Sequence, residues 1–341
     1  MAPERLFRVC PTEHHSILSI VLGGFVLGGV CLFGLAGNAT AIFRWIPRFV
    51  PHSTFRFYLI ALCFSDMGLL ISCICIIVTP RILDSMQSAH SAINYLMYIF
   101  YPLGMLFRTS SAWLTAVMAV VRCACVTHPF KVKRFCGQRH IVWIVVTFTC
   151  SFATLYNVPR MLELKLDQCW NPNRNETLIN VYPSDLRINN NYKRYYIGIG
   201  NNVFLFGVPF VVIFIANSLI VATVFRSNRR IQSFGSNGTF DYRPSVSATT
   251  VLLFCISVSY LLCNLGPFTA NVLENNIEFF QAQKSEVMFQ YFAIATDVGN
   301  FLIGLKSSID VLLYLLFSRR FREDILQKLI HCSDGDSSRY A

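Results

Sequence analysis

Charged side chains are scarce. Asp, Glu, Lys and Arg make up 14% of the 341 residues, against about 25% in a soluble globular domain. The shortage is concentrated, because no charge occurs from Ser16 to Phe43, from Tyr195 to Phe225 or from Pro244 to Leu273. Roughly 20 apolar residues in a helix cross a bilayer core of about 30 Å, so each stretch is long enough to span. This distribution excludes a soluble enzyme, a disordered chain and a nucleic-acid binder, although the net charge of +11 would otherwise favour the last. Other absences narrow the field. There is no Gly-rich phosphate loop, no nucleophile–base–orienter arrangement and no Cys/His spacing of a metal site. Neither catalysis nor a cofactor is expected. The paired, interrupted repeats of many transporters are also missing, so an ion-coupled transporter or channel is the weaker alternative.

Seven segments are predicted to span as helices, at 16–43, 57–79, 93–121, 141–159, 197–225, 246–273 and 287–317. The expected fold is an all-α membrane protein, a seven-transmembrane helix bundle with a short amphipathic C-terminal helix. Residues 1–15 hold no short apolar run, and the first apolar stretch is too long for a cleaved signal, so it reads as the first span. An odd number of spans puts the chain ends on opposite sides. With residues 1–15 outside, the inner segments carry a net +12 and the outer segments a net zero. That asymmetry is the positive-inside pattern, and it places residues 318–341 in the cytoplasm. Of the 13 cysteines, only Cys10 and Cys169 fall clearly outside. They either form one disulfide or remain two free thiols.

Landmarks occur once per predicted helix. The first has Gly37-Asn38, the second Ala61-Leu-Cys-Phe-Ser-Asp66, and the third ends Val121-Arg122-Cys123 with Pro129-Phe130 beyond it. Trp143 lies in the fourth, Pro209 in the fifth, Cys263-Asn-Leu-Gly-Pro267 in the sixth and Asp310-Val-Leu-Leu-Tyr314 in the seventh. In this order, over roughly residues 20–330, the chain resembles a rhodopsin-like (class A) G-protein-coupled receptor. The sixth-helix motif and the basic run at 122–133 are most similar to invertebrate FMRFamide-type peptide receptors and to molluscan chemosensory receptors.

The resemblance implies a plasma-membrane receptor that passes an extracellular signal, from a neuropeptide or an external chemical cue, to a heterotrimeric G protein. It assigns coupling roles to Arg122, Pro129, Phe130 and Tyr314. The family's acid before the third-helix arginine is Val121 here, which predicts a weaker resting lock. The family's cysteine at the outer end of that helix would fall at Met97, which leaves Cys10 as the candidate partner of Cys169.

Buried ionisable residues in a span are costly and are functional candidates by default. Asp66, Ser111 and Asp310 match positions that enclose a sodium ion in the family. Lys306, four residues before Asp310 on the same helix face, is expected to supply the cation instead. Arg108, one turn outward of Ser111, is expected to meet either a ligand carboxylate or Asp297. The family's amine-binding acid falls at Gly104, which argues against amine ligands. Asn271, Glu274, Asp297 and Asn300 complete the candidate ligand site, with Glu278 and Glu286 adding to an acidic rim suited to a cationic peptide. Asn175 opens a glycosylation sequon in the long outer loop. Phe321, Ile325 and Leu329 form an apolar face for a helix lying on membrane lipid, and Cys332 beyond it is a palmitoylation candidate.

Overall fold

The computed structural model describes residues 8–10, 17–45, 55–83, 90–128, 138–172, 175–234, 248–275 and 286–317. Among them are seven long helices. Helix α1 (17–45) and α2 (55–83) each contain a wider π-wound stretch, Ile20–Val26 and Ile74–Val78. Helix α3 is His90–Thr127 and α4 is Arg139–Asn157, which tightens into a 3₁₀ turn at Val158–Leu162. Helix α5 (192–234) begins with a π-wound segment at Tyr192–Gly207. Helices α6 and α7 are Ala248–Asn275 and Glu286–Phe317. Six of these helices are long and apolar enough to cross a membrane, and α7, with Asp297, Lys306 and Asp310, completes the bundle.

Helix α3 is the central rod, packing against α2, α4, α5 and α6, while α7 closes against α1, α2 and α6. Its 38 residues exceed the predicted 93–121 because Arg122 and the polar outer turn continue the hydrogen-bond ladder past the apolar run. The core is layered. Leu62, Cys63, Leu114, Met118, Val142 and Ile256 are buried where α2, α3, α4 and α6 meet, and Ala112, Ala116, Ile213 and Tyr260 fill the α3–α5–α6 junction. Large apolar side chains such as Phe43, Phe148, Leu155, Phe214 and Leu262 point outward and are exposed. In water such a surface would be an association hazard, and in a bilayer it is the solvated face.

One end of the bundle carries a small sheet, a feature absent from the all-α expectation. Strand β1 (Arg8–Val9) runs parallel to β2 (Leu164–Asn171), and β2 pairs antiparallel with β3 (Glu176–Pro183). A disulfide joins Cys10 to Cys169 and so staples the N-terminal segment to the hairpin. The hairpin is tied to α3 by side chains. The Ile179 N–H donates to Ser91 Oγ (3.2 Å) and the Val181 N–H to Asn94 Oδ1 (3.2 Å).

Glycines set the closest helix approaches. A Cβ at Gly37 would lie 2.3 Å from Val311 of α7, and one at Gly68 would lie 2.5 Å from the Phe107 ring of α3. Bilayer helices associate through such small residues and interhelical hydrogen bonds rather than through exclusion of water. Gly68→Ala is therefore predicted to overpack the α2–α3 seam and to destabilise the protein by about 1–3 kcal/mol. Thermal unfolding in detergent measures this, and a second change, Phe107→Leu, is expected to recover part of the loss.

Candidate functional site

Helix geometry places Asp66, Ser111, Lys306 and Asp310 together at mid-bundle, on α2, α3 and α7. Asp66 and Asp310 are fully buried, and Lys306 is 4% exposed. The Lys306 ammonium donates to Ser111 Oγ at 2.7 Å and lies 3.1 and 3.4 Å from the two Asp66 oxygens. It sits 3.3 Å from Asp310 Oδ2, its neighbour one turn along α7. Asp66 Oδ1 also accepts hydrogen bonds from Ser111 (2.8 Å) and Ser307 (2.9 Å). Asn38 extends the network to α1 by donating to the carbonyls of Gly34 (2.9 Å) and Ser307 (3.0 Å).

The family resemblance implies a sodium ion among these positions, and the residues present do not fit one. The point facing both carboxylates and the Ser111 hydroxyl holds the Lys306 ammonium. A second cation there would be repelled at close range in a low-dielectric interior.

A second buried cluster lies at the sheet end. Glu163, fully buried, is gripped by Arg160 (3.0 Å) and Arg187 (2.6 Å) and accepts hydrogen bonds from Tyr101 and Tyr192, each at 2.7 Å. The Arg160 guanidinium also lies over the Tyr196 ring, 5.1 Å from its centroid. Sequence reasoning missed this cluster because 160–194 reads as loop, while α4 in fact winds on to Leu162 and α5 starts at Tyr192. The available signals were Arg160 and Glu163 one turn apart, and Tyr192 and Tyr196 on one helix face.

The other candidates fall in different places. Asp297 does not meet Arg108. It pairs with Arg81 of α2, which also donates to Ser19 Oγ of α1 (3.0 Å) and to the Ile77 carbonyl (3.2 Å). Arg81 is closer because the π-wound turn of α2 and the small residues Gly23 and Gly24 admit its side chain between α1 and α7. Asn271 donates to Asn202 Oδ1 of α5 at 2.9 Å, and Asn300 is part-buried one turn from Asp297. Asn175 occupies the exposed turn between β2 and β3 with φ of 58°. Arg122 is part-buried and engaged near the far end of α3. The side chains of Glu274, Glu286 and Tyr314 lie outside the described residues, as do Pro129, Phe130, Glu278, Phe321, Ile325, Leu329 and Cys332.

A seven-helix bundle with a polar cluster at its centre and a hairpin across one end defines a class of membrane receptor. The model of the 7 transmembrane receptor (rhodopsin family) matches residues 37–314, and this chain belongs to that family. It is a receptor family and not an enzyme class. The chain is 26% identical to an FMRFamide receptor of Drosophila melanogaster, over 94% of its own length and 56% of the relative's. It therefore spans little more than half of that protein. It is 25% identical to the probable G-protein coupled receptor frpr-1 of Caenorhabditis elegans, over 92% of this chain and 80% of that one. Similarity to the FMRFamide peptide receptor frpr-18 of the same worm is 25% over 87% of this chain and 66% of the relative.

The central cluster yields a direct test. Lys306→Gln strands two buried carboxylates, a loss worth about 3–5 kcal/mol when a buried ion pair is broken from one side. Thermal unfolding in detergent is expected to show the variant destabilised in choline chloride and partly restored by sodium chloride at equal ionic strength. The unmodified protein is expected to melt alike in both salts.

Proposed function

We propose that this chain is a plasma-membrane receptor that binds an extracellular neuropeptide and signals through a heterotrimeric G protein. The observation that carries this reading is its similarity, along about nine-tenths of its length, to two receptors named for FMRFamide. The sheet end is then extracellular and the Arg122 end cytoplasmic, in keeping with the basic inner segments. The Asn175 sequon, in an exposed hairpin turn, suits glycosylation on that outer side. Residues 1–15 form the outer N-terminus, 16–317 the receptor bundle, and 318–341 a cytoplasmic tail that lies on lipid and carries Cys332 for palmitoylation.

The ligand enters between the hairpin and the outer halves of α3, α5, α6 and α7, where Arg108, Asn271 and Asn300 line its path. Asp297 belongs to the wall rather than to the ligand, since Arg81 already neutralises it. Agonist binding shifts a pre-existing equilibrium by no more than its differential affinity for the active bundle. Helix α6, with Pro267 in its interior, is the element that moves. Arg122, Pro129, Phe130 and Tyr314 then meet the G protein.

A panel of amidated peptides applied to cells expressing the receptor, read by calcium and cyclic AMP, tests this reading. At least one peptide is expected to act, and Arg122→Ala is expected to abolish its signal while leaving its binding within about threefold, less than 1 kcal/mol. Silence across the panel, or a response that survives without any G protein, would overturn it.

A further inference from the structure

Two of the arginine sites described in the outer half of the bundle are neutralised by acids. Arg81 holds Asp297, and Arg160 and Arg187 share Glu163. Arg108 enters no ion pair or hydrogen bond among the described residues, and its Nε is sealed from solvent without an acceptor. Among the described residues its surroundings offer no counter-charge. The groups within its electrostatic reach are Cys73 of α2, Tyr260 of α6 and Arg160, and the Tyr260 hydroxyl is already committed to the Leu205 carbonyl at 3.1 Å. A thiol and a phenol are uncharged at neutral pH, and a second guanidinium repels.

The positive excess continues outward. Two arginines grip the single carboxylate of Glu163, and Arg160, 2% exposed, keeps Nε and Nη2 without acceptors. The Tyr156 hydroxyl, on the same helix one turn below, is likewise buried without a partner. Unmade donors of this kind cost stability in the free protein. A group that carries both negative charge and paired acceptors would satisfy them, and a carboxylate matches the guanidinium fork with two parallel hydrogen bonds.

We propose that Arg108 anchors a carboxylate of the ligand, in surroundings that the buried Arg160 makes more positive. The ligand class is a peptide bearing an acidic residue, held by a cationic pocket rather than by an acidic rim. This rests on the reading of the sheet end as the ligand end, and it deepens that reading by naming the chemistry the pocket selects.

The test uses the full chain in detergent and two small probes, the α-amides of N-acetyl-aspartate and N-acetyl-asparagine, which differ by one carboxylate. The aspartate probe is expected to raise the melting temperature and the asparagine probe to leave it unchanged. Arg108→Met is expected to melt at or above the unmodified protein, because it removes a part-buried charge that no described acid pairs, and to lose the response. Arg108→Lys is expected to keep part of it. In cells, any active peptide is expected to lose about tenfold or more in potency when its Asp or Glu is changed to Asn or Gln, as one charge-assisted hydrogen bond would give. That loss should vanish in Arg108→Met. Equal effects of the two probes on the unmodified protein would overturn the proposal, and so would an Arg108→Met chain that melts well below it. If no peptide acts at all, the peptide reading falls, and the melting comparison alone decides the role of Arg108.

Discussion

One ammonium joins three helices. Lys306 of α7 reaches Asp66 of α2 and the Ser111 hydroxyl of α3, and it sits beside Asp310 on its own helix. In a bilayer, lipid tails are as apolar as the helices, so nothing like the hydrophobic effect presses rods together. Close backbone approach and polar ties must do so, and the structure supplies both in series. Asn38 connects α1 to α7, Asn157 connects α4 to α3 through Thr109 at 3.0 Å, and Trp113 of α3 donates to the Phe204 carbonyl of α5 at 3.0 Å. Removing the ammonium would leave two carboxylates facing one another at the centre of this network.

Helix α6 stands apart from that arrangement. Among the described residues it contributes no side chain to the central cluster. Its side chains tie it to α5, through Tyr260 to the Leu205 carbonyl and Asn271 to Asn202. It packs broadly on α7, but those contacts are apolar and set by small residues, with Gly299 against Pro267. The described buried ion pairs of the central cluster join α2 and α7, and α6, with Pro267 in its interior, holds none of them. The polar network thus joins α1, α2, α3 and α7 into one frame, the arrangement on which the proposed movement of α6 rests.

Much of this was legible from residue order. Seven apolar runs, spaced landmarks and the placement of Lys306 one turn from Asp310 are local patterns, and local patterns survive folding. The central cluster could be anticipated because a helix repeats every 3.6 residues, so positions four apart share a face. What escaped was whatever depended on winding. The π-wound turn in α2 brings Arg81 to Asp297, and the continuation of α4 into a 3₁₀ turn buries Glu163 among arginines and tyrosines. No charge count distinguishes an acid in a loop from an acid inside a cage. The sheet was hidden for a related reason, since β1 is two residues long and is defined by its partner rather than by its own alternation.

The hairpin at the sheet end is fastened in two chemically different ways. A covalent bond and strand pairing hold the N-terminal segment to it, while hydrogen bonds donated by its own Ile179 and Val181 N–H groups to Ser91 and Asn94 help hold it to the wall of the bundle. Thiol reagents therefore act on one attachment and denaturants on the other. A reductant would leave β1 joined to β2 by backbone hydrogen bonds alone while the hairpin stays seated, so redox conditions and the seating of the hairpin are uncoupled at this surface.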